Sequence, residues 1–167
     1  MNYGLSDTIK AAFPNITPID RPIVQFTGLQ DPRWLSGFTN AEGCFFIKTR
    51  QSTTYRLGTQ VSLSFTITQH TRDKELLTGL VPYLGCGGSV VRSNNSLAWD
   101  FKVNRTIDIN EKIIPFFYNY PLEGSKRWDF EDFCKVALLM ENKAHLTREG
   151  LYQIIKINSG TNKGRSN

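Results

Sequence analysis

Glu42 stands near the end of the stretch WLSGFTNAEGCFF, Trp34 to Phe46, in an awkward place for an acid. Trp34, Leu35 and Phe38 are spaced for one helical face, and the helix must stop at Gly43. The carboxylate therefore falls on the last turn, where the negative pole of a helix opposes an anion. Gly37 and Ala41, four residues apart, share a face on which another backbone can approach closely. Two such helices side by side bring two Glu42 carboxylates together at two negative poles, and a divalent cation between them removes the conflict. Local rules broken in this way mark functional positions. The plain alternative is a solvated glutamate at a frayed helix end, the usual fate of a terminal Glu.

The rest of the chain must supply the frame that holds this acid. With 167 residues, 40% hydrophobic and 12% aromatic, it is large and apolar enough for one domain with a real core. No apolar run approaches the roughly 20 residues of a membrane-spanning helix. The N-terminal text lacks the basic start and apolar centre of a secretory signal. Cys44, Cys86 and Cys134 are odd in number and far apart, with neither zinc spacing nor a disulfide framework, which makes a reducing compartment the default. Twenty Lys+Arg against 15 Asp+Glu give +5, a balance compatible with a nucleic-acid partner without requiring one.

Periodicity orders the elements. Residues 1–31 read as an arm, with a short helix in LSDTIKAAF capped by Ser6 or Asp7 and then broken by prolines. A domain follows over 32–158, and 159–167 is a loose tail. After Gly43 the period falls to two. CFFIKTR sets Phe45 and Ile47 against Phe46, Lys48 and Arg50; LGTQVSLSFTITQ sets Val61, Leu63, Phe65 and Ile67 against a wholly polar face. These two runs predict a hairpin across QSTTY. RDKELLTGLVPYLGC returns to helical spacing and ends at Gly85, with Pro82 near its end. GGSVVRSNNSLAWDFKV predicts a second hairpin turning at SNNS. DINEKIIPFF opens with a capping-box pattern, Asp108 to Glu111, and predicts a helix ending near Pro115. Helices over KRWDFEDFCKVALLM and LTREGLYQIIKI, the second capped by Thr147, complete the chain.

LSGFTNAEG, Leu35 to Gly43, resembles the LAGLIDADG signature of homing endonucleases: Leu35, Gly37, Ala41 and Gly43 match outright, and Glu42 falls on the essential acid. Asn40 stands where many relatives have Asp. The helix and hairpin order is similar too, as are FTITQH (Phe65–His70), YLGCG (Tyr83–Gly87) and the late NKGR to fungal organellar members. The resemblance implies an α+β, αββαββα fold: a four-stranded antiparallel saddle backed by helices. It implies hydrolysis of both strands of double-stranded DNA across the minor groove, assisted by Mg²⁺ or Mn²⁺. By position, Glu42 and the Ala41 carbonyl would hold metal, Gln69 would place a water, and Lys126 would stabilise the transition state. Leu35, Gly37, Phe38 and Ala41 would form the helix that meets a second copy of the chain in a homodimer on a near-palindromic site. For Gln69 and Lys126 the plain readings are a polar strand end and a solvated loop lysine.

The polar faces of the two hairpins would lie along the DNA major groove, as β-ribbons do. Lys48, Arg50, Arg56, Gln60, Ser62, Ser64 and Thr66 line the first hairpin in this reading, and Arg92, Asp100, Lys102 and Asn104 the second, with Arg72 near the cleavage site. A merely solvated sheet face is the alternative for any one of them. His70 and His145 lack a second ligand at metal spacing and are expected to pack or hydrogen-bond. One motif gives half a nuclease, and the residues before it resemble the connector that joins the halves of two-motif enzymes. An RNA-binding intron maturase, or a half-domain that dimerises and binds DNA with little cleavage, fits the same residues. Resemblance to fungal organellar members implies a mitochondrial location and no membrane partner.

Overall fold

The computed structural model describes residues 6–17, 27–91 and 97–160. A short helix, α1 (Asp7–Ala12), is capped by Ser6, whose hydroxyl accepts the Ile9 amide at 3.3 Å, and it buries none of its residues. The main unit begins at α2 (Pro32–Glu42). Asp31 Oδ1 takes the Arg33 amide at 2.9 Å, and Pro32 fills a first-turn position whose N–H would have no partner in any case. Just ahead of it Leu29 already packs on the core, so the arm joins the domain slightly before residue 32.

β1 (Gly43–Gln51) and β2 (Thr59–His70) pair antiparallel from Gly43 opposite Ile67 to Gln51 opposite Thr59. After a short 3₁₀ turn, α3 (Lys74–Leu84) ends on Gly85 at φ +64, a left-handed cap that costs glycine little. β3 (Gly88–Val91) and β4 (Ala98–Val103) form the second hairpin, and β4 also pairs with β2. The result is one antiparallel sheet in the order β1-β2-β4-β3, the α+β saddle expected from the pattern.

Strand alternation assigns the faces. Phe45, Ile47, Leu63, Phe65, Ile67, Phe101 and Val103 point to one side and are buried. Helices seal that side. Phe45 stacks on Phe65 at 5.0 Å and meets the edges of Phe117 at 5.6 Å and Phe133 at 5.3 Å. Such ring pairs add about 0.5–1.5 kcal/mol each to the burial itself.

The stretch expected to be helical from Asp108 to Pro115 starts earlier and runs through the proline. It consists of α4 (Thr106–Asp108), a π turn (Ile109–Ile113) and α5 (Ile114–Asn119). Asp108 lies inside this helix, ion-paired to Arg105 at 3.7 Å, instead of capping it. In the π turn the Ile114 amide reaches back to the Ile109 carbonyl, and Pro115, with no amide to offer, begins the next segment without breaking the run.

α6 (Gly124–Glu141) buries Phe130, Phe133, Val136 and Ala137. α7 (Arg148–Gly160) starts at Thr147, whose Oγ1 accepts the Gly150 amide at 3.1 Å. It continues through Ser159 and Gly160, past the expected start of the tail. The Ser159 hydroxyl donates to the Lys156 carbonyl at 2.7 Å within that extra turn. The SNNS turn, Arg92 and the NKGR string lie outside the described residues. No helix among the described residues is long and apolar enough to cross a membrane.

Gly43, the hinge between α2 and β1, is required by close approach. A Cβ there would meet Thr39 Cγ2 at 2.4 Å and the Thr39 carbonyl oxygen at 2.7 Å. Gly43→Ala is expected to cost about 1–3 kcal/mol of stability, read as a lowered urea midpoint at unchanged slope.

Candidate active site and sheet face

Helix α2 is two-sided. Leu35, Ser36 and Thr39 face the core, with Leu35 wholly buried. Trp34, Gly37 and Ala41 are exposed, and Phe38 is half-buried with its ring stacked on Trp34 at 4.9 Å and 20°. A Cβ added at Gly37 would meet nothing within 4 Å. The expected interface set is thus corrected at one member. Leu35 is enclosed by its own domain and cannot meet a second copy, whereas Gly37, Phe38 and Ala41 lie on the open side with Trp34.

Glu42 ends α2 and is exposed. Lys126, in the first turn of α6, reaches across to it: its Nζ donates to the Gly43 carbonyl at 2.6 Å. A cation in a first turn opposes its own helix dipole as an anion in a last turn does. Here each misplaced charge lies beside the other helix's end, where it is welcome. The lysine assigned only by its spacing from a distant helix therefore sits at the motif.

Two more hydrogen bonds tie the same segment to α2. The Ser36 hydroxyl donates to the Tyr120 carbonyl at 2.7 Å, and the Asn40 Oδ1 accepts the Glu123 amide at 3.1 Å. Sequence reasoning missed both Ser36 and Asn40 as site-forming residues. Their partners are more than eighty positions away, beyond the reach of any local pattern.

Gln69 belongs to the end of β2, two residues past Ile67, the partner of Gly43. Paired with Trp99, it shares the core-side parity of Ile67 and Phe101, so it emerges at the sheet's edge beside α2 and not on the outer face. Cys44, next to Gly43, feels the same centre. Burial raises its thiol pKa, the Lys126 ammonium pulls it down, and Asp129 raises it again. His70 closes the strand by accepting the Arg72 amide on Nδ1 at 3.2 Å, the hydrogen-bonding role expected of it.

The outer face of the sheet carries Cys44, Phe46, Lys48 and Arg50 on β1, Gln60, Ser62, Ser64, Thr66 and Thr68 on β2, Asp100 and Lys102 on β4, and Val90 on β3. Arg50 and Asn104 are exposed, as is Arg56 in the turn between β1 and β2; Gln60, Ser62, Lys48 and Lys102 are half-buried. Burial lowers the Lys48 pKa, and Lys102 and Arg50 lower it further, so these cations sense one another across the face. Lys48 also lies over the Phe46 ring at 5.1 Å.

Three expected contact residues are corrected. Ser64, Thr66 and Asp100 are buried at 2%, 5% and 8% exposure. Ser64 sits opposite Phe46, and Thr66 lies between Cys44 and Lys102, so longer neighbours overhang these short side chains. The two hydroxyls are 3.4 Å apart, and Asp100 accepts the Thr68 hydroxyl at 2.7 Å. They brace the face from beneath. Arg72 is elsewhere, joined to Asp73 at 3.3 Å in a groove lined also by Asp31 and Trp34. Cys44, Thr68 and Val90, on the face but absent from the expected set, follow from continuing the strand alternation.

A family model described as LAGLIDADG endonuclease matches residues 35–137, which spans the motif, both hairpins and most of α6. The chain belongs to this family. Among curated relatives of this LAGLIDADG protein, probable intron-encoded endonuclease 3 of Neurospora crassa is 39% identical over 92% of this chain and 29% of its own length. Probable intron-encoded endonuclease 2 of the same fungus is 37% identical over 94% and 35%. The solved I-SmaMI LAGLIDADG homing endonuclease bound to cleaved DNA superposes with a TM-score of 0.93 at 43% identity, over 99% of this chain and 55% of that one. I-SmaMI bound to uncleaved DNA with calcium ions gives 0.91. The chain thus spans about a third of those curated relatives and about half of those solved enzymes.

Ser36 anchors the segment that carries Lys126, and its removal leaves the Tyr120 carbonyl without that donor. Ser36→Ala is expected to destabilise the fold by about 1 kcal/mol, read from urea denaturation.

Proposed function

We propose that this chain supplies half of a sequence-specific, divalent-metal-dependent endonuclease that hydrolyses both strands of DNA across the minor groove, with Mg²⁺ or Mn²⁺ as the ion. The observation that carries this reading is the end of α2, where the exposed Glu42 carboxylate and the Lys126 ammonium converge on Gly43. The donors there are oxygens, as a hard divalent cation prefers. Among the described residues no group of three or more His, Cys, Asp and Glu side chains stands ready to hold an ion. One chain thus fits half a site, and a second motif helix must bring the other carboxylate.

The open face of α2, with Gly37 and Ala41 small enough for close packing, is where that helix would lie. For the 167-residue chain the partner is a second copy, which gives a homodimer and a near-palindromic target. Inside a longer chain another LAGLIDADG domain takes its place, with residues 1–31 as the connecting arm. The solved relatives, of which this chain covers 55%, support a paired arrangement.

Glu42 and the Ala41 carbonyl would hold the ion, whose chemistry is to activate water and offset charge on the leaving 3′ oxygen. Gln69, at the sheet's edge beside α2, orients a water. Lys126 places positive charge where the phosphoryl oxygens gain negative charge. Lys48, Arg50, Arg56 and Lys102 neutralise DNA phosphates or read guanine, and Gln60, Ser62 and Asn104 offer hydrogen bonds to base edges. The names of the relatives, which include a Podospora anserina protein in an ND4 intron, support an intron-encoded origin in a fungal mitochondrion.

The test is selection of a preferred duplex from random DNA, then cleavage with and without Mg²⁺. Glu42→Gln is expected to cut that duplex at least about a hundredfold more slowly while still binding it; a wild-type rate overturns the assignment. Sedimentation is expected to give about twice the 19.0 kDa of one chain. A stable monomer that still cleaves both strands excludes the paired site.

A further inference from the structure

The three hydrogen bonds between α2 and the connector that leads into α6 form a ladder. Ser36 meets Tyr120, Asn40 meets Glu123, and Gly43 meets Lys126. Both strands of the ladder advance together, by four and three residues along α2 and by three and three along the connector. On α2 these steps are roughly 6 Å and 5 Å of rise. The connector therefore runs alongside the motif helix in fixed register, and its last rung is the lysine.

Asn40 holds the middle rung. The group facing its side chain is a backbone N–H, so the amide oxygen must be the atom turned toward it. That N–H belongs to Glu123, the residue that opens α6 and has no side-chain cap hydrogen bond of its own. Lys126 stands three residues further on, in the first turn. A lysine stem is long and flexible, so its ammonium is placed only as well as the backbone that carries it. At the motif's sixth position Asn supplies an acceptor without adding a negative charge beside Glu42.

We propose that Asn40 is a positioning residue of the active centre. It locks the 120–126 connector against α2 and thereby sets where the Lys126 ammonium meets the Gly43 carbonyl. The proposal rests on the role given to Lys126 above, and it assigns Asn40 a duty separate from metal binding.

The test is a double-mutant cycle on single-turnover cleavage of the selected duplex at saturating Mg²⁺. Asn40→Ala is expected to slow cleavage by about three- to tenfold, and Asn40→Asp, which keeps the acceptor, to stay within about twofold of wild type. In a Lys126→Ala background, Asn40→Ala is expected to cost nothing more. Additive losses, or a wild-type rate for Asn40→Ala, overturn the positioning role. If Lys126→Ala itself cuts at the wild-type rate, the catalytic reading of Lys126 fails instead.

A second measurement needs no cleavage. In the ¹⁵N-labelled free protein, the Lys126 ammonium is expected to give a protected side-chain signal, assigned by its loss in Lys126→Ala. It should persist in Asn40→Asp and disappear or shift in Asn40→Ala. An unchanged signal in Asn40→Ala overturns the proposal, whatever the cleavage data show.

Discussion

One hydrogen bond joins the parts of this molecule that matter for chemistry: the Lys126 ammonium on the carbonyl of Gly43. Its two sides come from helix ends whose charges are each repelled locally, a carboxylate at a negative pole and an ammonium at a positive one. Neither arrangement is favourable within its own helix. Together they are, because each charge faces the opposite pole. The contact closes 83 residues of sequence. Such closure costs chain entropy that the bond cannot offset. The aromatic cluster around Phe45 supplies the difference, since its rings come from β1, β2, α5 and α6 at once.

From this constraint a division of labour follows. The inner face of the sheet and Leu35 belong to the core, and the outer face is polar and basic. The free side of α2 is left for a neighbour. Glu42 lies at the junction of all three, at the end of α2 and the start of β1. Ser64, Thr66 and Asp100 show how the outer face is kept in shape. Their short polar side chains are enclosed beneath longer ones, and the Thr68–Asp100 bond links β2 to β4 across the middle of the sheet. A face braced from below loses little freedom when it meets a partner, which favours binding.

Much of this was legible in the amino-acid order. Strand period, the glycine stop after α3, and the motif around Glu42 are local signals, and the elements they announced are present. What failed were inferences that needed a neighbour. Leu35 looked like part of one apolar face with Trp34 and Phe38, yet a helix between a core and a free surface carries apolar residues on both sides. Ser64, Thr66 and Asp100 were expected on the surface because polarity was read without the bulk of Phe46 and Lys102 beside them. Pro115 looked like a helix end because the preceding π turn has no clear local signature. Ser36 and Asn40 passed unnoticed because nothing nearby in the chain reveals what they hold.

That π turn, Ile109–Ile113, has a consequence for how the chain tolerates insertion and deletion. A π turn holds one residue more than the α-helical path would need. Removing a single amino acid there would restore regular winding and look harmless. It would also rotate everything that follows by about 100°, one residue's worth of helical phase. Phe117 would swing out of the aromatic cluster, and the Tyr120 carbonyl would turn away from Ser36. A shortening far from the motif would thus reach the reactive end of α2 as an error of angle.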